Sequence, residues 1–372
     1  MPNKRPRIVF ILPTLSAGGA ERVLITLMNG LDTNQYERVF LAVSEEGGLR
    51  SLIAPDIPFH SLGKGTRFGS SLPKIYRKLK ELQPDIVVST MAHMNFAVLL
   101  LKPFFPNTRF VVREAITPSY FSQKSFVIRS IVKLSYRRLY PRADMVISPA
   151  QKIIDEFRDL LKISVKNHAL LPNPVDVERI LASVAREAAI TESRREAIHY
   201  VCAGRLVSQK GFDQLIAHLP ALKNCYDWHL TILGEGEQRE DLQKVIETMG
   251  LKSKVTLAGF TDVPWSVIAS ADAFLMPSRY EGLPNVVLEA LACGTPVIAT
   301  RTSGGIDEIA VHAQAHAGSL TVVDGMDEFI GAMAAVTPMP VEGLRPSLLP
   351  RCYEKTAVFE RFTKLLAEVS AL

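Results

Sequence analysis

Residues 273–300 read Ala-Phe-Leu-Met-Pro-Ser-Arg-Tyr-Glu-Gly-Leu-Pro-Asn-Val-Val-Leu-Glu-Ala-Leu-Ala-Cys-Gly-Thr-Pro-Val-Ile-Ala-Thr. Ala273–Met276 is a short uncharged run closed by Pro277 and Ser278, the pattern of a buried strand. Pro284 suits the first turn of a helix, and Gly294 suits its end. A second apolar run, Pro296–Thr300, follows. Strand, loop, helix and strand in this order read as one step of a doubly wound α/β sheet.

The same alternation extends backwards from this stretch. Strands are expected near His199–Ala203, His229–Leu233 and Val255–Leu257. Further back, Pro172-Asn173-Pro174-Val175-Asp176 is stiff and turn-forming, and breaks the rhythm. The charged stretch Val177 to Ala197 then reads as helix. Before the break, strands are expected near Ile8–Leu12, Val39–Val43, Asp85–Ser89, Arg109–Arg113, Asp144–Ser148 and Ala169–Leu171. Val23, Leu24, Leu27, Met28 and Leu31 give Ala20–Leu31 helical spacing. Continuous Val/Ile/Leu strands suit parallel sheets covered on both faces. The expectation is two Rossmann-like domains, residues 1–172 and 173–350, facing each other across a cleft at their strand ends. The final segment, Arg351 to Leu372, reads as a helix with Val358, Phe359, Phe362, Leu365 and Leu366 on one face.

The 372 residues suit two domains, and 47% apolar against 22% charged residues suits a packed core. The four cysteines, Cys202, Cys225, Cys293 and Cys352, form no C-x-x-C pair and no zinc spacing. Buried free thiols in a reducing compartment are expected. Lys4-Arg5-Pro6-Arg7 before Ile8–Leu12 mimics a signal peptide, but Pro13 cuts the apolar run short and a first strand is the better reading. No segment reaches the ~18 uncharged apolar residues of a spanning helix. A cytoplasmic protein is expected.

Chemistry concentrates in the loops after strands. Glu289 is the only charged residue between Val286 and Cys293, on a helix apolar enough to be mostly buried. A buried carboxylate needs a partner, and ribose hydroxyls would serve. Glu281, in the loop above, can accept bonds from a sugar hydroxyl, and the helix start between them favours phosphate. The alternatives are a structural carboxylate bonded to backbone for Glu289 and a surface charge for Glu281. Arg205 and Lys210 follow strand His199–Ala203, with Gly204 and Gly211 around them. They can neutralise a leaving diphosphate, unless they are solvated loop cations. Gly234-Glu235-Gly236 follows the next strand, and is either a ligand approach or a plain turn. Gly18 and Gly19 open the first helix as an anion-friendly nest of N–H groups or a tight turn. Gly304 and Gly305 take the same strand-end position after Thr300.

Together, G-G-A-E-R from Gly18 to Arg22, G-R-x-x-x-x-K-G from Gly204 to Gly211, G-x-G and E-G-L-P-N-x-x-L-E-A from Glu281 resemble the retaining, GT-B-fold glycosyltransferases of family 4. Order and spacing match across nearly the whole chain. The resemblance implies a metal-independent enzyme that moves a hexose or N-acetylhexosamine from a nucleotide sugar, with no separate cofactor. It implies that Arg205 and Lys210 hold the diphosphate, with backbone from Gly18, Gly19, Gly204 and Gly234. Glu281, with Gly282, Leu283, Pro284 and Asn285, would meet the donor sugar, Glu289 the ribose, and backbone near Phe260 the base. It implies retention through a front-face reaction assisted by the leaving phosphate, and a last helix, residues 351–372, that packs on the first domain. Base contacts in this fold run largely through backbone. The residues therefore do not separate UDP from GDP; of the two, a UDP-sugar is expected.

The match has a departure. Many relatives carry His after the Glu of the fourth-strand segment, whereas here Ala115 follows Glu114. Glu114 is then an acceptor-side base or a core residue bonded to backbone. His93, at a neighbouring strand end, is either a catalytic candidate or a packed side chain. An inert GT-B scaffold and a GT-B phosphorylase remain the other readings.

The net charge of +5 divides unevenly. Residues 1–172 hold 25 Lys/Arg against 13 Asp/Glu, a charge of +12, and residues 173–372 carry −7. From Ala115 to Ala143 there is no acid, but Lys124, Arg129, Lys133, Arg137, Arg138 and Arg142. Ile57 to Lys80 also lacks acids and holds Lys64, Arg67, Lys74, Arg77, Lys78 and Lys80. Phe126, Val127, Ile131, Leu134 and Leu139 give the first run apolar surface. Either it is a solvated helix face whose apolar residues join the core, or it meets an anionic membrane. The second reading places the enzyme peripherally on the inner face of the cytoplasmic membrane, acting on a lipid-linked or lipopolysaccharide glycan. No nucleic-acid motif accompanies the charge.

Overall fold

Runs of Val, Ile, Leu and Phe that are apolar on both faces can be buried only in a parallel sheet with helices on either side. The computed structural model contains two such sheets. It describes residues 5–372 except 17, 64–70, 120–124, 164, 189–196, 224–225, 303 and 340–342. Lys4, Lys64, Arg67, Lys124 and Cys225 therefore lie outside the described residues. The chain divides into two compact units, residues 1–174 with 356–372, and residues 175–355.

The first unit is built on strands β1 (Arg7–Leu12), β2 (Glu37–Ala42), β3 (Phe59–Ser61), β4 (Ile86–Thr90), β5 (Arg109–Arg113), β6 (Met145–Ser148) and β7 (His168–Leu170). They pair in parallel in the order β3-β2-β1-β4-β5-β6-β7. Helices α1 (Gly19–Asn29), α2 (Leu72–Leu82), α3 (Ala92–Leu101), α4 (Phe126–Leu139) and α5 (Gln151–Asp159) connect them. The side-chain period of two splits β1 between two cores. Ile8, Phe10 and Leu12 pack with Leu24 and Met28 of α1, while Val9 and Ile11 pack with Ile75 of α2 and Val98 of α3.

The second unit runs α6 (Val177–Ala188), β8 (Ile198–Ala203), α7 (Phe212–His218), β9 (Trp228–Leu233), α8 (Arg239–Thr248), β10 (Val255–Gly259), α9 (Trp265–Ala269), β11 (Ala273–Met276), α10 (Asn285–Ala292), β12 (Val297–Thr300), α11 (Ile306–His312), β13 (Leu320–Val323) and α12 (Met326–Ala334). Its parallel order is β10-β9-β8-β11-β12-β13. After a turn of 3₁₀ helix at Arg351–Tyr353, helix α13 (Lys355–Ser370) joins the first unit, and Val358, Phe362, Leu365, Leu366 and Val369 enter the core shared by β1 and α1. A Cβ on Gly30 would lie 2.0 Å from the Phe359 ring, so that glycine sets how closely α13 approaches α1.

Two readings from the sequence need adjustment. Strands β3 and β13 were not expected; both are short and half-exposed and pair with one neighbour only. Pro284 caps α10 and does not occupy its first turn. The helix expected from Val177 to Ala197 is described to Ala188, and residues 189–196 lie outside the described set. Cys202 and Cys293 are buried free thiols, whose pKa burial pushes well up, and Cys352 is exposed. Among the described residues no helix is long and apolar enough to cross a membrane.

In each sheet the strand order reverses once, at β1/β4 and at β8/β11. Loops at the carboxyl ends of such neighbouring strands diverge to opposite faces and leave a ligand crevice. Gly18, Gly19 and His93 follow β1 and β4. Arg205, Lys210 and Glu281 follow β8 and β11.

Candidate active site

Strands β8 and β11 are neighbours although their loops are more than sixty residues apart in sequence, and a network of bonds staples those loops together. Lys210 Nζ lies 2.7 Å from Glu281 Oε1, and neither side chain is more than one-fifth exposed. Ser278 Oγ donates to the same oxygen at 3.0 Å, and Gln209 Nε2 reaches Oε2 at 3.3 Å. Glu281 is thus held in one orientation by three donors, not free on the surface. Arg279 makes a two-pronged pair with Asp213 at 2.7 and 2.8 Å and donates to Ser208 O. That guanidinium holds the Asp213 carboxyl below the usual carboxylate range. Gly211, at φ +68°, passes so close to Pro277 O that a Cβ would lie 2.1 Å away. Arg205 is exposed, with no side-chain hydrogen bond among the described residues. An exposed guanidinium in the same loop as the Lys–Glu pair can bond an anion such as a diphosphate.

Glycines lie at the ends of three adjacent strands. Gly204, Gly234 and Gly259 follow or end β8, β9 and β10, at φ +157°, +140° and +83°. A Cβ on Gly234 would lie 1.9 Å from Gly204 O, and one on Gly236 2.4 Å from Leu206 O. The G-x-G pattern therefore lets one loop of the protein lie against another. It supports the 204–211 loop from below. Phe260, next along, is 61% exposed.

Glu289 sits half-buried on α10, where Val287, Leu288, Ala290, Leu291 and Ala292 are buried. Its Oε2 accepts from the Trp265 indole at 3.1 Å. The Arg179 guanidinium lies 5.4 Å from the same indole ring, within cation–π range. Arg179, Trp265, Ser278, Gln209, Arg279 and Asp213 were not singled out from sequence. Arg279 and Asp213 each sit within three residues of a motif residue, and that proximity was the available signal. Leu283 and Pro284 are buried, Asn285 begins α10, and Gly282 O accepts from Gly305 N at 2.7 Å.

The remaining candidates belong to the first unit. Gly18 caps α1, and Gly19 is its exposed first residue. A Cβ on Gly18 would lie 2.2 Å from the Glu21 carboxylate, which is buried in the same turn. His93 is exposed on the first turn of α3, just after Met91 at φ +74°. A non-glycine residue in that region costs about 1–3 kcal/mol and is held there by its surroundings.

Glu114 is 2% exposed and turns into the helix layer. Asn95 Nδ2 and the Tyr140 hydroxyl donate to Oε1, and the Tyr136 hydroxyl donates to Oε2 at 3.0 Å. Its partners are side chains, and backbone meets only its N–H, which donates to Ile147 O. This geometry favours a core role over an acceptor-side base. Burial pushes the carboxyl up to about 8, against the opposing hydrogen bonds of Asn95 and Tyr136 and the charge of Arg113. An acid whose pKa is higher when folded binds its proton more tightly in the native state. Stability is then greatest below the unfolded value of 4.5 and falls as pH rises toward 8. Between about pH 5 and pH 8 the wild-type Tm should fall by several degrees relative to Glu114→Gln, read by calorimetry. Parallel curves for the two proteins would refute this account of the cage.

Two family models match the chain. The model for glycosyl transferases group 1 matches residues 185–340, and that for glycosyltransferase family 4 matches residues 17–179. The chain is 38% identical over 297 residues to the lipopolysaccharide core biosynthesis glycosyltransferase LpsE of Rhizobium meliloti, covering 77% of each protein. It is 28% identical over 306 residues to a Campylobacter jejuni enzyme, N-acetylgalactosamine-N,N'-diacetylbacillosaminyl-diphospho-undecaprenol 4-alpha-N-acetylgalactosaminyltransferase, covering 80% of this chain and 81% of that one. Among solved structures, Anabaena HepE in complex with UDP and glucose superposes with a TM-score of 0.75 at 17% identity, covering 98% of this chain and all of that one. That likeness shows the GT-B fold.

Proposed function

Because the chain belongs to the family 4, group 1 glycosyltransferases, we propose that it moves a hexose or N-acetylhexosamine, with retention and without a metal, from a nucleotide sugar to a lipid-linked or lipopolysaccharide glycan. The observation that carries this reading is the stapled pair of loops at the β8/β11 switch point, with Lys210 fixed on Glu281 and Arg205 exposed beside them. When a glycosyl–phosphate bond breaks, the largest developing charge is on the departing diphosphate. Two positively charged side chains at that point neutralise it, which supports a metal-independent reaction. Glu281 then orients donor-sugar hydroxyls, and Glu289, steadied by Trp265, takes the ribose. The first unit, with its excess of Lys and Arg, takes the acceptor at the inner face of the cytoplasmic membrane. The lipid carrier in the Campylobacter enzyme's name supports that acceptor class, and HepE's complex with UDP supports a UDP-sugar donor.

The experiment is a thermal-shift titration with UDP-, GDP-, ADP- and dTDP-sugars in the presence of a metal chelator. A ligand at a hundred times its Kd stabilises the folded state by about 2.7 kcal/mol. One nucleotide sugar is expected to raise the Tm of the wild type, and Arg205→Ala to lose most of the shift. If none of the panel moves the Tm, with or without chelator, the donor-site assignment fails and the inert-scaffold reading replaces it.

A further inference from the structure

Helix α4 shows solvent the side that an amphipathic helix ordinarily hides. Its fourteen residues read Phe-Val-Ile-Arg-Ser-Ile-Val-Lys-Leu-Ser-Tyr-Arg-Arg-Leu. At 100° per residue, Val132, Tyr136 and Leu139 share one side. Tyr136 and Leu139 are buried and Val132 is packed against the same core, so this side faces the protein. Val127, Ile131 and Leu134 fall on the opposite side, with Phe126 at its edge, while Ile128 lies in the first turn on the side of Leu139 and is exposed all the same. Their exposures are 64%, 60%, 54%, 73% and 49%. Tyr136, Leu139 and part of Val132 join the core, and the other apolar residues of this helix do not.

The charges on the helix are of one sign. Arg129 and Lys133 are exposed along one flank of the apolar stripe, and Arg138 ends it. Arg137 donates to Leu161 O at 2.9 Å, and the Arg129 guanidinium lies 5.5 Å from the Phe126 ring. No acidic residue occurs on the helix. Its seat is rigid, because Tyr136 is bonded to the buried Glu114 and packs edge-on against Phe96 and Phe157. By contrast, α2 and α5 bury their apolar side, through Ile75, Leu79 and Leu82 and through Ile153 and Phe157.

We propose that α4 is a docking helix that lies in the plane of an anionic bilayer, with Phe126, Val127, Ile131 and Leu134 entering the boundary between headgroups and acyl chains. Arg129, Lys133 and Arg138 meet the anionic headgroups. Such helices carry a large apolar side, a cationic polar side and few other charges, and their binding adds apolar burial to electrostatic attraction. Charge decides the occupant. A second copy of α4 would bring four cations against four with no acid to offset them, whereas an anionic surface is complementary. The inference deepens the lipid-linked-acceptor reading and rests on it for its biological setting.

The test is co-sedimentation of the whole chain with vesicles of phosphatidylglycerol and phosphatidylcholine, and with vesicles of phosphatidylcholine alone. The wild type is expected to bind the anionic vesicles, to lose part of that binding at high salt and to keep the apolar part. Ile131→Glu with Leu134→Glu should weaken binding about tenfold or more. Arg129→Glu with Lys133→Glu should remove the salt-sensitive part. All four positions are exposed, and an unchanged circular-dichroism melt confirms that the variants fold. Equal binding by the Ile131/Leu134 double variant overturns the proposal. So does a wild type that ignores anionic vesicles, or that forms a dimer dissolved by the same substitutions. Vesicle binding is read without donor or acceptor. Its failure therefore leaves the donor-site reading standing, and failure of the nucleotide-sugar titration leaves this one standing.

Discussion

Lys210→Met is expected to lower kcat for sugar transfer by about 10²–10³-fold, the usual cost of removing one pre-positioned charge from a developing anion. The substitution also breaks the 2.7 Å pair with Glu281. It leaves a mostly buried carboxylate without its cation, which should cost about 1–3 kcal/mol, less than the loss of a fully buried pair. The two effects separate in a double-mutant cycle. Glu281→Gln alone should also lower kcat and stability. Lys210→Met with Glu281→Gln removes both charges, so stability should return close to that of the wild type while kcat stays low. Steady-state kinetics and urea unfolding on the four proteins decide the matter. If kcat recovers together with stability, the pair is a strut between two loops and the diphosphate is held elsewhere. Arg205→Ala makes the complementary case. It is exposed, so its kcat loss should come with a stability change within about 0.5 kcal/mol.

Most of the strands were readable because a strand buried on both faces has no choice of composition. Val-Phe-Ile-Leu after Ile8 and Phe-Leu-Met after Ala273 admit no polar residue, and the sheet took them as read. Phe-His-Ser at β3 and Leu-Thr-Val-Val at β13 escaped notice because an edge strand meets one neighbour and tolerates polar, half-exposed residues. The motif residues Lys210 and Glu281 were readable as strand-end loops. Their contact was not, since β8 and β11 adjoin only through the sheet order, which local sequence does not carry. For the same reason Arg279 and Asp213 were not singled out, although their two-pronged bond fixes the loops that the motifs occupy. Helix α4 shows a different limit. Periodicity revealed two sides to the helix but not which one faces the core. The protein placed Tyr136 inward, where its hydroxyl satisfies Glu114, and left the aliphatic side outward. A rule that assigns the most apolar side to the interior fails where a buried carboxyl needs hydroxyl donors.

Gly304→Ala is expected to cost about 3 kcal/mol or more and to abolish the thermal shift produced by the donor. Gly304 has φ +65°, and a Cβ there would lie 2.0 Å from Glu281 O and 2.4 Å from Gly282 O. Both obstacles are backbone atoms, so no rotamer change relieves them. The adjacent Gly305 N–H donates to Gly282 O at 2.7 Å, and the clash would pry that bond apart. The 281–285 loop would then shift, and Glu281 would leave its seat against Lys210 and Ser278. The left-handed conformation alone costs an alanine about 1–2 kcal/mol. Gly318→Ala isolates this term. Gly318 has φ +80° with nothing within 4 Å of its Cβ position. That variant should lose only the strain energy and keep the full nucleotide-sugar shift. Equal losses in the two variants, with donor binding intact in both, would show that the Gly304 loop gives way to the added methyl. The second glycine pair would then have no part in holding Glu281. A selective loss at Gly304 would assign these glycines to the protein's own backbone packing, one loop removed from the ligand, as Gly234 and Gly236 serve the 204–211 loop.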